Sequence, residues 1–215
     1  MEIKTVTITG ADDNTNPSDM ISISKDFPFV EWGILFSISR QGTERYPSLV
    51  WVDELMKMVL SHNCTEPNQP KLSAHLCGDY TVEYLSTGYM TKAFRDLGKI
   101  MSGIAFSRYQ LNFNSTKNTA CKDFYGSIER CSTNQILQYN QANYDLCQKV
   151  LDLKNKNIHF LYDGSGGRGV LPGGWKGVVP NHFTGYAGGL NPDNLEDALI
   201  KINEAAGDNS IWIGR

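Results

Sequence analysis

The sequence contains no Cys-x-x-Cys pair, no apolar run long enough to cross a bilayer, no Lys/Arg stripe, and no basic leader followed by an apolar segment. Each absence removes a class of function. The five cysteines, Cys64, Cys77, Cys121, Cys131 and Cys147, are odd in number and irregularly spaced, so neither a disulfide framework nor a thiolate metal site is expected. Reduced thiols and a cytoplasmic location are the reading. A membrane span would need about 18 or more consecutive apolar residues, and Met1 to Thr9 lacks the pattern of an export signal. The Asn63-Cys64-Thr65 and Asn114-Ser115-Thr116 triplets fit the glycosylation pattern but carry no weight without such a signal. Twenty basic residues against 23 acidic ones leave a net charge of −3 with no basic face, which disfavours nucleic acid as a partner.

What is present is an alternation of β-rich runs with segments of helical character. The 215 residues, 40% hydrophobic with 20 glycines, suit one globular domain. Eight strands are expected: Ile3–Thr9, Phe29–Phe36, Leu72–Cys77, Tyr109–Phe113, Gln135–Tyr139, Ile158–Tyr162, His182–Ala187 and Ser210–Ile213. Helices are expected between them, among others Leu49–Leu60, Val82–Met101, Asn143–Leu153 and Pro192–Ala206. The spacing of strand starts leaves room for a helix and two loops at each crossover, which pairs strands in parallel and predicts a (β/α)8 TIM barrel. An open doubly wound sheet is the alternative, but it often carries a glycine-rich turn after its first strand, whereas here the glycines follow strands six and seven. Asn191 and Pro192 read as the cap and first residue of the last helix, with Leu195, Ala198, Leu199 and Ile202 as its apolar stripe. The chain ends at Arg215 without an eighth helix, so a dimer partner, another protein or the N-terminal segment is expected to cover strands eight and one.

Barrel chemistry sits where the βα loops converge, at the C-terminal ends of the strands. The run Gly188-Gly189-Leu190-Asn191-Pro192-Asp193-Asn194 is expected to hold phosphate, since glycines let an anion approach backbone N–H groups and a helix N-terminus adds partial positive charge. Asp163, ahead of Gly164-Ser165-Gly166-Gly167-Arg168-Gly169, is a candidate general acid. His75 and Cys77 fall on the same face of strand three but lack further ligands for a metal, so a packed barrel layer is the expectation. None of the mouth positions is lysine, which disfavours Schiff-base chemistry.

Read in order, Thr7-Ile8-Thr9-Gly10-Ala11, Gly33-Ile34-Leu35-Phe36 with Arg45-Tyr46, Gln110-Leu111-Asn112, Asp163 with Gly166-Gly167-Arg168-Gly169, and Ala187 to Asn194 resemble phosphoribosylanthranilate isomerase. The resemblance spans nearly the whole chain and is closest in the last block. It implies a cytoplasmic, cofactor-free and metal-free isomerase of tryptophan biosynthesis that converts an aminoaldose phosphate to the aminoketose by an Amadori rearrangement. By that likeness Asp163 matches the general acid, Gly188 and Gly189 the phosphate turn, Gln110 a strand-four glutamine, and Arg45, or alternatively Arg40, the arginine that holds the aromatic end. Asn191 belongs to the same substrate-binding block. Asn112 replaces a family histidine and Thr9 replaces the cysteine that acts as general base. Asp12, Asp13 or Cys77 are the candidate substitutes, and the second functional reading is a silent barrel that binds a phosphorylated small molecule or a protein without turnover.

Overall fold

The computed structural model describes residues 1–61, 69–87, 106–114, 124–130, 133–153, 155–164 and 168–215. Eight parallel strands close into a barrel in chain order: β1 Glu2–Thr9, β2 Val30–Phe36, β3 Lys71–Cys77, β4 Arg108–Asn112, β5 Asn134–Gln138, β6 Ile158–Asp163, β7 Thr184–Ala187 and β8 Ser210–Gly214. The described helices are α1 Pro17–Asp26, α2 Leu49–Ser61, α3 Asp79–Thr87, α4 Phe124–Arg130, α5 Tyr144–Leu151 and α6 Leu195–Ala206. β8 pairs with β1 through Val6–Ile213 and Thr7–Gly214, so the sheet has no free edge. Among the described residues, no helix is long and apolar enough to cross a membrane.

Several expectations are corrected. The last helix begins at Leu195 rather than Pro192. Residues 191–194 form a turn stitched by Asn side chains: Asn191 Oδ1 accepts from the Asp193 N–H at 2.9 Å, and Asn194 Oδ1 accepts from the Asn191 N–H at 3.0 Å. Helix α3 is described to Thr87, and the remainder of the expected Val82–Met101 helix lies outside the described residues, as do Cys64, Cys121, Cys131, both glycosylation triplets beyond Asn114, and Ser165 to Gly167. Between β6 and β7 no helix occurs among the described residues. Pro172 and Pro180, with Gly173, Gly174 and Gly177 between them, remove donors and raise the entropy of ordering a helix there. The extended segment instead lays Trp175 and Val178 against the apolar cluster around Tyr186, whose hydroxyl donates to the Lys176 carbonyl at 2.8 Å.

Alternation along the strands sorts the side chains. Outward residues such as Trp32, Ile34, Phe36, Leu72, Leu76 and Phe160 are buried in one apolar cluster under the helices. Ile211 and Ile213 of β8 are buried against Ala198 and Ile202 of α6, so α6 already covers the outer side of β8. The barrel interior is unusually polar. Arg108 and Glu31, both essentially inaccessible, make a two-pronged ion pair, with Arg108 Nη2 to Oε1 at 2.6 Å and Nε to Oε2 at 2.9 Å. Thr7 donates its hydroxyl to Glu31 at 2.9 Å and accepts from Arg108 at 3.2 Å. The guanidinium lies 4.3 Å from the Trp212 ring and 5.9 Å from that of Phe183. Burial would push the Glu31 carboxyl up, but the charge and hydrogen bonds of Arg108, joined by the Thr7 hydroxyl, outweigh it and hold the group below its ordinary value of 4.5.

Two strand glycines are dictated by this filling. A Cβ on Gly185 would stand 2.0 Å from the Trp212 indole, and one on Gly33 would stand 2.6 Å from Thr9 and 2.7 Å from His75. Breaking the buried pair on one side strands a charge, so Glu31→Gln is expected to lower unfolding free energy by about 3–5 kcal/mol. The check is a urea midpoint that falls with an unchanged slope. The paired replacement Glu31→Leu with Arg108→Met is expected to recover most of that loss.

Candidate functional site

The C-terminal mouth opens into a cavity of about 620 Å³. Four arginines line it, Arg40 and Arg45 after β2, Arg168 after β6, and Arg215 after β8, while Asp163 is the one carboxylate among its described lining residues. Gln110, Gly188, Gly189 and Asn191 line the same cavity, together with Thr9, His75 and Cys77. Asp12 and Asp13 do not.

Asp163 ends β6 and is buried, and the Gln138 amide donates to its Oδ2 at 3.4 Å. A Cβ on Gly188 would stand 3.5 Å from Asp163 Oδ1, so the acid and the glycine turn share one side of the mouth. Both glycines have backbone angles that disfavour side chains, with φ +117° and +64°. They also meet the β6–β7 segment closely: a Cβ on Gly189 would lie 2.6 Å from the Leu171 nitrogen and 2.8 Å from the Gly169 oxygen. Packing of that segment is thus a sufficient reason for glycine at both positions. The asparagine turn separates them from the first turn of α6, and Asn194 Nδ2 donates to the Gly189 carbonyl at 2.9 Å.

On the opposite flank, polar side chains form a chain of contacts. Gln110 Nε2 donates to Asn112 Oδ1 at 2.8 Å, Asn112 Nδ2 donates to Cys77 Sγ at 3.3 Å, and the Tyr46 hydroxyl reaches the same sulfur at 3.9 Å. Burial nonetheless pushes the Cys77 thiol above its ordinary 9.0, so at neutral pH it carries its proton. The Thr9 hydroxyl donates to the Arg215 carbonyl oxygen. Asp12 is corrected as a candidate base: its carboxylate accepts the Arg45 N–H at 3.1 Å and the Asn14 N–H at 3.0 Å, and Asp13 accepts the Ser48 N–H at 2.6 Å. Both aspartates are tied into the loop that sets Arg45, whose φ of +67° is unusual for a side-chain-bearing residue.

No protein-family model and no curated protein matches this chain. Among solved structures, one described as spore coat polysaccharide biosynthesis protein E from Chromobacterium violaceum ATCC 12472 is similar, with a TM-score of 0.55 at 10% identity over 98% of this chain. The likeness is one of fold. This chain spans 65% of the length of that structure.

Sequence reasoning passed over three groups at this site: the arginines Arg168 and Arg215 as a charge cluster with Arg40 and Arg45, the Gln138 amide, and His75. The strand-three alternation already set His75 beside Cys77. In the structure its imidazole is buried, and Nε2 has no hydrogen-bond partner among the described residues. Burial pushes His75 down to about 4, with the Arg108 charge acting in the same direction and Glu31 against it. His159, deeper in the barrel, is likewise pushed down to about 4, first by burial and then by Arg108. Among the described residues no cluster of three or more His, Cys, Asp or Glu side chains is arranged to hold a metal.

The two histidines set the acid limb of stability. Because their folded values lie below the ordinary 6.5, the unfolded chain takes up protons between pH 6.5 and about 4 that the folded chain refuses. Stability is expected to be flat above pH 6.5 and to fall across that window. Urea midpoints measured through it check this, and His75→Gln is expected to flatten the slope by roughly one proton.

Proposed function

We propose that this barrel acts on a phosphorylated sugar held at its C-terminal mouth, with an aldose–ketose isomerisation of the phosphoribosylanthranilate isomerase kind as the specific reaction. The observation that carries the proposal is the charge of one cavity: four guanidinium groups around a single carboxylate, in a chain whose net charge is −3. Arginine forks match phosphate geometry, and a concave mouth focuses their field. The name of the structural neighbour, which refers to polysaccharide biosynthesis, accords with sugar chemistry in this fold.

In this reading Arg45 and Arg168 hold the anionic ends of the substrate, and Gly188 and Gly189 give it close approach to backbone. Asp163 gives its proton to the ring oxygen as the C1–O bond of the furanose breaks. A proton must then leave C2. Neither the Thr9 hydroxyl nor the protonated Cys77 thiol suits that step, whereas His75 lines the cavity as a neutral imidazole able to accept it. The second reading, an anion-binding barrel without turnover, is favoured by threonine at position 9, where the resembling family has its cysteine base.

Calorimetry with inorganic phosphate and ribose 5-phosphate, beside a fluorescence assay on phosphoribosyl anthranilate, tests both. The expected outcome is that Arg45→Ala weakens ribose 5-phosphate binding about tenfold, worth roughly 1.4 kcal/mol. Asp163→Asn is expected to keep binding while lowering turnover by a factor on the order of 10²–10⁴. Phosphate binding without turnover in the unaltered chain selects the second reading, and failure to bind either anion rejects both.

A further inference from the structure

Beside the mouth lies a second concavity of about 530 Å³, whose lining is aromatic rather than cationic. Tyr139, following β5, and Tyr162 of β6 stack with ring centroids 5.2 Å apart and planes 19° from parallel. Tyr144, the first residue of α5, extends that stack, 5.8 Å from Tyr139. Trp175 joins them from the β6–β7 segment that lacks a helix, and it is held edge-on to Tyr186 at 5.8 Å. Polar groups interleave with the rings. Lys176 Nζ stands 5.6 Å from the Tyr139 ring centre, and Asp145 and Gln141 also line the cleft.

Packing alone does not account for this arrangement. Tyr144 remains 46% exposed, and Trp175 is half-buried while Trp32, Trp51 and Trp212 are buried. The Trp175 indole N–H, the Asp145 carboxylate and the Lys176 ammonium have no hydrogen-bond partner among the described residues. Buried Tyr and Trp usually satisfy their polar atoms. Rings left partly in water with unused donors and acceptors around them form a site of the kind that fixes a ligand by a few placed polar groups on an apolar bed.

The chemistry selects the class of ligand. Flat aromatic faces accept the C–H face of a pyranose, and an interleaved carboxylate, amide and ammonium suit its ring of hydroxyls, which both donate and accept. One acidic and one basic side chain give the cleft no strong charge, in contrast to the arginine-lined mouth, so a phosphorylated ligand has no advantage here. We propose that this cleft is a binding site for a neutral saccharide ring, stacked on Tyr139, Tyr144 and Trp175. The inference does not depend on the reaction assigned to the mouth.

Trp175 supplies the reporter, since the other three tryptophans are buried. The full chain is titrated with maltose, cellobiose and chitobiose, with adenosine as a stacking ligand of another class, and saturation-transfer NMR reads binding independently of fluorescence. The expected result is a saturable change in emission with at least one disaccharide, absent in Trp175→Phe. Tyr144→Ala, on the exposed side of α5, is expected to weaken binding about three- to tenfold with an unchanged thermal midpoint, and Asp145→Asn to weaken it as well. Three results overturn the proposal: no saturable response to any disaccharide, a response to adenosine alone, or full saccharide affinity in both Tyr144→Ala and Asp145→Asn. Inorganic phosphate titrated into the same preparation reports on the mouth separately, so failure of one site is not mistaken for failure of the other.

Discussion

The ion pair between Arg108 on β4 and Glu31 on β2 is the constraint around which the barrel interior is arranged. Barrel cores are commonly filled by layers of branched aliphatic side chains. Here a charged pair occupies that space, and two ions removed from water are tolerable only when nearly every donor and acceptor is matched. Thr7 matches one lone pair from β1, Ser107 donates to Glu31 Oε2 at 3.1 Å, and the Trp212 face takes the guanidinium plane. Those demands reach four strands apart in sequence, and they in turn require glycine at position 185 to admit the indole. A polar floor also has a consequence above it. His75 sits over this pair and stays neutral, because burial and Arg108 together outweigh the pull of Glu31.

The barrel itself was legible because its outward strand residues alternate with inward ones, and because crossover spacing leaves parallel pairing as the economical solution. The eight strands lie within a few residues of where the pattern puts them. What the pattern did not reveal was the use of the inward positions. Arg108 falls just before the apolar residues that mark β4, and Glu31 is a lone acid among Val30 and Trp32, so neither looks like half of a pair 77 residues apart. His75 was readable as an inward residue, but its neutrality depends on partners from β2 and β4 that no local window contains.

At the mouth the same limit applies. Asp163, Arg45, Gln110 and the two glycines come to one cavity because each stands at a strand end, a property of position that the chain order already carries. Asp12 stands at a strand end too, yet it is consumed as an acceptor for loop N–H groups. That outcome turns on hydrogen bonds that short acidic side chains make with nearby backbone, and residue type alone does not distinguish a free carboxylate from one so engaged. The helix start at Leu195 was misplaced for a related reason: Asn191 and Pro192 are as suited to an Asn-stitched turn as to a cap.

The β6–β7 segment links the two concavities. Its first part, Arg168 and Gly169, lines the arginine-rich mouth and packs onto Gly189, and its second part, Pro172 to Lys176, lines the aromatic cleft. A helix in this crossover would have buried an apolar stripe against β6 and β7. Prolines and glycines forbid it, and the strand faces are covered instead by Trp175 and Val178 with a backbone bond from Tyr186. An irregular covering leaves gaps that a helix would fill, and it exposes ring edges and polar atoms on its outer side. The substitution of loop for helix therefore accounts at once for the close approach that demands glycine at 188 and 189 and for the cleft beside it. Two surfaces of opposite character, one cationic and one aromatic, are set a few residues apart by a single stretch of chain.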